Sequence, residues 1–144
     1  MVYQFILPSV ALCSFFLRHM PLQGGRLKAV IGAAGGSSIP AAIIQVFQNH
    51  FVKGKDPLFS VMAPRYYHLL YPNVLYYESY KSVIGDQYEA PAQTRAVLKK
   101  KGHKLRAATG WAICTFVVLE SENSNSSRLV AVSDPRKGGF PAGY

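Results

Sequence analysis

A strand, a glycine-rich corner and a helix follow one another in residues 26–51, and this order constrains the fold more than any other feature. Arg26–Ile31 has the composition of a strand. Gly32–Gly36 holds only glycine and alanine, and Ser38 is a residue type that often caps a helix. The proline two residues later suits a first helical turn, so we predict a helix over Pro40–Phe51. A strand and a helix joined this closely share one core.

The apolar pattern of this helix predicts which side faces the core. Ile43, Phe47 and Phe51 repeat every four residues, and Ile44 widens the same stripe. Polar residues lie off the stripe and are expected to face solvent: Gln45, Gln48 and Asn49.

Further helix and strand patterns follow along the chain. Asp56-Pro57 is a helix start, and a second proline soon afterwards predicts the helix end near Ala63. A third helix is expected over Pro91–Lys101, with Val97 and Leu98 facing inward. The remaining expectations are the strands Val74–Tyr77, Trp111–Leu119 and Leu129–Val132, and a polar loop at Ser121–Ser127.

Positive charge dominates the composition, with 16 Lys and Arg against seven Asp and Glu and a formal net charge of +9. Two interpretations stay open: a surface for an acidic partner, or the solvated side of a helix end. No aromatic residues lie between the clustered cations to stack on bases, so no nucleic acid is expected as a partner. The clustered cations are Lys99, Lys100, Lys101, Lys104 and Arg106.

The spacing of cysteine and histidine indicates neither a disulfide framework nor a metal site. The two cysteines, Cys13 and Cys114, each lie in an apolar run. The four histidines lack the i, i+4 or paired-cysteine spacing of a zinc site, so no metal is expected. The redox compartment stays open.

Residues 1–17 contain no charged residue and include a long apolar stretch. Positive charge does not precede the stretch as it does in a secretory signal, and a spanning helix needs about 20 apolar residues. Three interpretations stay open: a buried or disordered segment, a targeting segment, and a membrane anchor through residues 1–17.

The glycine corner is the best candidate for a functional site. Backbone N–H groups at a helix N-terminus favour an anion, and Gly35 and Gly36 are placed to supply them. Two ligands fit: a phosphate, although the P-loop and dinucleotide spacings are missing, and the oxyanion of an acyl-transfer intermediate. The third interpretation is a tight turn needed only for packing. No nucleophile with an adjacent base is recognisable, so no catalytic residue is assigned.

Four segments, in order, resemble one known family, the γ-glutamyltransferases or glutathione hydrolases. The likeness covers residues 20–144 and is closest to plant members, whereas residues 1–19 form an apolar segment expected to lie outside it. Glu78 lies at a fitting distance beyond the second segment. The four segments are Gly32–Gly36 before a helix, Ala63–Asn73 with its Pro-Arg, His and Pro-Asn elements, Leu98–His103, and the C-terminal signature Ser133–Tyr144.

The resemblance implies an α+β fold, a partial Ntn-hydrolase αββα sandwich with antiparallel sheets between helix layers. In this family a precursor cleaves itself, and the new N-terminal threonine attacks the γ-glutamyl amide of glutathione or its conjugates. The group then passes to water or to an amino acid, and the reaction uses no cofactor. By position, Gly35 and Gly36 match the backbone donors of the family's oxyanion hole.

The family's threonine nucleophile has no counterpart in this sequence. We therefore expect a truncated product or a fragmentary gene model that is inactive alone, and whether it acts as an enzyme stays open. Two rivals also stay open: a non-catalytic protein whose basic face binds an acidic partner or a membrane surface, and a subunit that completes a site with a separate large-subunit-like piece. Only a completed site would bind glutathione or γ-glutamyl conjugates. The family implies an extracellular, plasma-membrane or vacuolar location.

Overall fold

A computed structural model of the chain describes residues 18–22, 26–81, 85, 87–110, 112–123 and 126–138. The apolar segment of residues 1–17 lies outside the described residues. The strands are β1 (Arg18–Leu22), β2 (Arg26–Ala34), β3 (Tyr66–His68), β4 (Leu75–Lys81), β5 (Gln87–Glu89), β6 (Leu105–Ala108), β7 (Ile113–Asn123) and β8 (Ser126–Ser133). The helices are α1 (Ile39–Phe47), α2 (Pro57–Met62) and α3 (Ala92–Lys100), with 3₁₀ turns at Gly36–Ser38 and Pro135–Lys137 and a π-helical turn at Gln48–Val52. The predicted α+β class is confirmed.

The larger sheet is antiparallel, with strand order β1-β2-β7-β8. Ile31 in β2 lies opposite Phe116 in the central strand β7. Alternate side chains of β7, Cys114, Phe116 and Val118, are buried, because successive side chains of a strand point to opposite faces. α1 packs against β2 and β7, and α2 packs against β7 and β8. The main hydrophobic core lies between this sheet and these two helices.

The smaller sheet is arranged around β4, which pairs antiparallel with β3 and β5 and parallel with β6. The parallel pair differs from the antiparallel sheets implied by the resemblance. The chain between β4 and β6 includes β5 and α3, and parallel neighbours require such a long connection. α3 packs on β6 and so forms a helical layer of this second sheet.

The buried face of α1 differs from the predicted stripe. Ile43, Phe47 and Phe51 are only partly buried at the edge of the core, and Ile44 is 55% exposed, so its predicted place in the core was wrong. The residues that face the sheet have the same helical periodicity, but they lie on a different side of the helix, one position before Ile43 and Phe47, and include a small alanine. They are Ile39, Ala42 and Val46.

Two polar residues of this helix were wrongly predicted to face solvent. Gln45 is half-buried, and its amide donates to the Tyr66 C=O at 2.7 Å and accepts from the Tyr66 N–H at 2.9 Å. Asn49 is buried because it follows Val46 by three residues and so continues the buried face of α1 into the π-helical turn. Its amide donates to the Ser60 C=O at 3.4 Å. Both residues thus join the first helix to later parts of the chain.

The short helix α2 begins and ends as predicted. Asp56 caps it, with Oδ1 accepting from the Leu58 N–H at 2.8 Å, and its last residue is Met62. The predicted loop at Ser121–Ser127 was wrong for its described residues, because β7 runs to Asn123 and β8 begins at Ser126. Residues 124 and 125 of this predicted loop lie outside the described residues. A backbone ladder needs no apolar side chains, so strand pairing continues into this polar sequence.

The third helix has no buried residue, although the sequence predicts an inward-facing side. Val97 is 49% exposed, so its predicted burial was wrong, and Leu98 is half-buried. Gly102 ends the helix with a φ of 92°, as the sequence predicts. The helix therefore lies on the surface of the smaller sheet with most of its side chains in solvent.

Candidate functional site

The glycine corner is narrower than predicted. β2 continues through Ala34, so Gly32 lies in a strand and the chain turns at Gly35 and Gly36. Their φ angles are 145° and 64°, which residues with a Cβ rarely adopt. Gly36 opens the 3₁₀ turn that leads into α1, and the first N–H groups of a helical segment have no partner within it. The corner therefore presents backbone donors at the start of a helical segment.

The two glycines are required for different reasons. A Cβ on Gly35 would lie 2.4 Å from the Ala112 Cα and 2.8 Å from its Cβ, so the backbone just after β2 approaches that residue too closely for any side chain. A Cβ on Gly36 would meet nothing within 4 Å. Gly35 is thus needed for packing, whereas Gly36 is exposed and faces open space.

Ser38 secures this corner instead of capping the helix. It directly precedes α1, as predicted, but its side chain makes no capping hydrogen bond. Its hydroxyl donates to the Gly35 C=O at 2.9 Å and accepts from the Ala112 N–H at 3.2 Å. The hydroxyl therefore holds the glycine turn against the chain that enters β7.

Behind the corner lies a buried ion-pair cluster, formed by Arg65, Glu78, Asp134 and Arg136. Each of the four residues is 5% exposed or less. Arg65 Nη2 lies 2.6 Å from Asp134 Oδ2. Arg136 Nε lies 2.6 Å from Glu78 Oε1, and its Nη1 lies 3.0 Å from Asp134 Oδ1. Two cations and two anions balance, and buried charges are tolerated when they are paired in this way.

The arginines of this cluster also bind the end of α2. The last C=O groups of a helix lack intrahelical partners and carry partial negative charge. Arg136 donates to three consecutive C=O groups, those of Val61, Met62 and Ala63, at 2.9, 3.2 and 3.1 Å. Arg65 donates to the first of them at 3.1 Å. The cluster therefore ties α2 to the segment that follows β8.

Ala112 connects the ion-pair cluster to the glycine corner. Its C=O accepts a hydrogen bond from Arg65 Nη1, and its N–H donates to Ser38. The same residue occupies the space that a side chain on Gly35 would need. The buried charges thus support the glycine turn from behind through one short stretch of backbone.

The electrostatics of the cluster favour the charged forms of Asp134 and Arg136. Burial opposes charge on Asp134, but the Arg65 and Arg136 guanidinium groups outweigh it and hold the pKa of that carboxyl below its ordinary value. Burial likewise opposes charge on Arg136, whereas its hydrogen bond to Glu78 and its attraction to both carboxylates raise its pKa. Burial raises the pKa of the nearby Cys114 thiol, which therefore stays protonated at neutral pH.

Sequence reasoning singled out the segments that contain these four charged residues but assigned no role to them. One local signal was available, because Asp134 before a proline is a capping pattern, and its Oδ1 accepts from the Arg136 N–H at 3.2 Å. The other pairings join residues 58 and 69 positions apart and have no local signal. The five predicted basic residues, Lys99, Lys100, Lys101, Lys104 and Arg106, are all exposed.

The described residues show neither a metal-binding cluster nor a membrane-spanning helix. No group of three or more His, Cys, Asp or Glu side chains in these parts of the chain is arranged to hold a metal ion. No helix in the same residues is long and apolar enough to cross a membrane.

Comparison with known proteins agrees on one family. A sequence model described as Gamma-glutamyltranspeptidase matches residues 7–144. Glutathione hydrolase 2 of Arabidopsis thaliana is 46% identical over 142 residues, which are 97% of this chain and 25% of that protein. Glutathione hydrolase 3 of the same plant is 33% identical over 83% of this chain and 22% of its own length. This chain thus spans about a quarter of the length of each of these two relatives.

Solved structures show the same fold at lower identity. A γ-glutamyltranspeptidase of Helicobacter pylori superposes with a TM-score of 0.73 and 22% identity, over 92% of this chain and 66% of that chain. One from Pseudomonas nitroreducens gives a TM-score of 0.71 and 24% identity, over 96% and 67%. The fold is therefore the Ntn-hydrolase fold of those enzymes.

The chain belongs to the γ-glutamyltranspeptidase, or glutathione hydrolase, family. Its likeness to plant members is confirmed by the Arabidopsis relatives. The matched range begins at residue 7, inside the apolar segment 1–19. The division of the chain after residue 19 and the role of Gly35 and Gly36 stay predictions.

Proposed function

We propose that this chain supplies the oxyanion-binding part of a γ-glutamyl acyl-transfer site. The substrate would be glutathione or a γ-glutamyl conjugate, and the acceptor water or an amino acid. Family membership supports the reaction class. The observation that carries the proposal is the glycine turn, in which Gly36 opens a helical segment, is exposed, and faces open space.

In the proposed reaction, a nucleophile attacks the γ-glutamyl carbonyl carbon and an electron pair moves onto the carbonyl oxygen. The N–H groups of Gly35 and Gly36 donate to this developing oxyanion. Each such donor lowers the barrier by roughly 3–4 kcal/mol in enzymes where one was removed. Collapse of the intermediate expels the amine, and water or an amino acid then takes the acyl group.

We assign the nucleophile to a separate polypeptide, one that carries the large-subunit sequence and the small-subunit sequence that precedes this segment in the family. Ser38 is close to the corner, but its hydroxyl is held between the Gly35 C=O and the Ala112 N–H. A chain of these 144 residues is therefore proposed to be inactive alone. Oxyanion donors accelerate a reaction only when a nucleophile generates the charge that they bind.

Complementation tests this assignment. The 144-residue chain assayed with a γ-glutamyl anilide should release no aniline product, and co-expression with a polypeptide that carries the family's threonine should restore release. Turnover by the chain alone would contradict the inactivity proposal. A stable complex without turnover would contradict the proposed role of the glycine corner.

The completed enzyme allows a sharper test of Gly36. Gly36→Pro removes the proposed donor and should lower turnover by on the order of 100-fold or more. Gly36→Ala keeps the N–H but strains the turn. Gly54→Ala is the matched control for that strain, since Gly54 has a φ of 65° and equally open surroundings. Equal turnover of the two alanine variants and the proline variant would rule out a donor at this position.

We also propose an extracellular, plasma-membrane or vacuolar location, on the family expectation alone. A fluorescent fusion expressed in plant cells, with residues 1–17 present, tests it. Diffuse cytosolic fluorescence would contradict it.

A further inference from the structure

Three consecutive large side chains are exposed in the loop between β3 and β4. Leu69, Leu70 and Tyr71 are 52%, 81% and 91% exposed. We refer to these three residues as the apolar tip. Single exposed apolar residues are common on protein surfaces, but contiguous ones mark interaction sites.

His68 holds the apolar tip in its outward position. Its Nδ1 accepts from the Leu70 N–H at 2.9 Å, and its Nε2 lies 3.2 Å from Asn73 Oδ1. When Nδ1 accepts, the proton is on Nε2, which then donates to the asparagine. Leu70 has a φ of 67°, which is uncommon for a leucine. One imidazole therefore links Leu70 to Asn73 within the loop, while the three side chains of the apolar tip are exposed.

The apolar tip lies next to the most basic part of the chain. The His68 and His103 rings are 6.1 Å apart, and the Leu75 N–H, at the end of the loop, donates to the Lys104 C=O at 2.8 Å. No acidic residue occurs in the sequence between Glu89 and Glu120. The exposed cations of this region form what we call the basic rim: Lys99, Lys100, Lys101, Lys104 and Arg106.

We propose that the apolar tip and the basic rim together form a docking surface for an anionic lipid bilayer. Transfer of leucine side chains from water to the boundary of the acyl chains is favourable, and an amphipathic tyrosine side chain is stable at the level of the headgroups. Lysines beside them meet lipid phosphates and carboxylates, each contributing about 1 kcal/mol near an anionic surface. This surface is distinct from the glycine corner and does not depend on the proposed acyl transfer.

A bilayer fits these observations better than an acidic protein does. The apolar side chains protrude at the tip of a loop, whereas a protein partner would need a pocket shaped to receive them. A bilayer accepts any protruding apolar group and needs only cations around it. Charge complementarity and the protrusion thus indicate the same partner.

Vesicle binding tests the proposal on the full 144-residue chain. We expect co-sedimentation with phosphatidylcholine vesicles that contain phosphatidylserine, much weaker binding without phosphatidylserine, and release at high salt. Lys101→Ala with Lys104→Ala should weaken binding on the order of 25-fold, about five-fold for each lysine. Leu70→Ser with Tyr71→Ser should weaken it roughly ten-fold.

Matched controls lie on other surfaces. Leu129 is 69% exposed and Lys28 and Lys55 are exposed, so Leu129→Ser and the Lys28→Ala, Lys55→Ala pair should bind as the unchanged chain does. All variants keep residues 1–17, so binding through that segment would leave every variant equal and would overturn the proposal. Absence of binding to phosphatidylserine vesicles would also overturn it. If the tip variant bound the vesicles as strongly as the unchanged chain, and both bound equally to immobilised polyglutamate, the surface would be assigned to an acidic protein instead.

Discussion

The buried ion-pair cluster and the basic rim both contain cationic side chains, but in opposite environments. In the cluster, Arg65 and Arg136 are enclosed with two carboxylates, and the short distances leave no position for water between the partners. In the rim, five cations stand in solvent with no acidic residue nearby in sequence. The cluster holds parts of the fold together, whereas the rim leaves its charges available to other molecules.

The difference shows why a count of charges says little about stability. A buried charge has lost its hydration and depends on its partner, so removing one partner is costly. An exposed charge keeps its hydration and contributes little when it is removed. Arginine suits the cluster because its planar guanidinium donates in several fixed directions, as Arg136 does to two carboxylates and three C=O groups.

The largest expected effect comes from removing one buried cation. Arg136→Ala should lower the free energy of unfolding by about 3–5 kcal/mol, since Glu78 is left buried without its main partner and the end of α2 loses the hydrogen bonds that Arg136 donates. Arg106→Ala in the rim should change it by less than about 0.5 kcal/mol. Urea unfolding followed by circular dichroism measures both. If both substitutions lowered the free energy of unfolding by the same small amount, the cluster and the rim would not differ as described.

The carboxylates give the next largest contrast. Glu78→Gln should cost roughly 2–3 kcal/mol, because a neutral amide makes weaker hydrogen bonds to Arg136 and leaves an excess positive charge. Glu89 pairs with Arg95 at 3.0 Å, with both side chains about a third exposed, so solvent screens the pair and Glu89→Gln should lower the free energy of unfolding much less than Glu78→Gln does. The comparison uses the same unfolding experiment, and a larger loss at Glu89 would reverse the interpretation.

Acid should act on the cluster through Asp134. The pKa of this carboxyl is lowered in the folded chain. Its contribution to the free energy of unfolding is therefore fully present at pH values above the unfolded pKa of about 3.9. That contribution is lost as the pH falls through the folded pKa. Asp134→Asn should be less stable at neutral pH and should depend less on pH below about pH 4. Parallel stability curves for the two chains would contradict a stabilising charge at this position.

The smallest effect is expected from salt acting on the rim. Like charges close together repel, and added salt screens them, so salt should raise the free energy of unfolding by a few tenths of a kcal/mol. Lys99→Ala with Lys100→Ala should remove part of this increase, with a change in stability within about 0.5 kcal/mol. A salt response that is unchanged in this variant would place the repulsion elsewhere.

Local signals predicted the helices and strands well where one residue decides the backbone. Asp56 was recognised as a cap, and its carboxylate accepts the expected N–H groups. The serine before α1 has the same kind of signal, yet its hydroxyl binds the nearby Gly35 C=O and the Ala112 N–H, which the tertiary structure brings within reach. The side of α1 that faces the sheet was predicted wrongly for a related reason. A helix with apolar residues on several sides packs with the side that fits the sheet best, and the sheet is not visible in the local sequence.

The nature of the corner followed from residue types, because a paired glycine between a strand and a helix start permits backbone angles that other residues avoid. The family could be recognised from four ordered segments in the same way. The convergence of Arg65, Glu78, Asp134 and Arg136 depends on contacts between distant positions, and so does the meeting of the apolar tip with the basic rim. Such contacts are selected by the packing of the whole chain, and no local pattern encodes them.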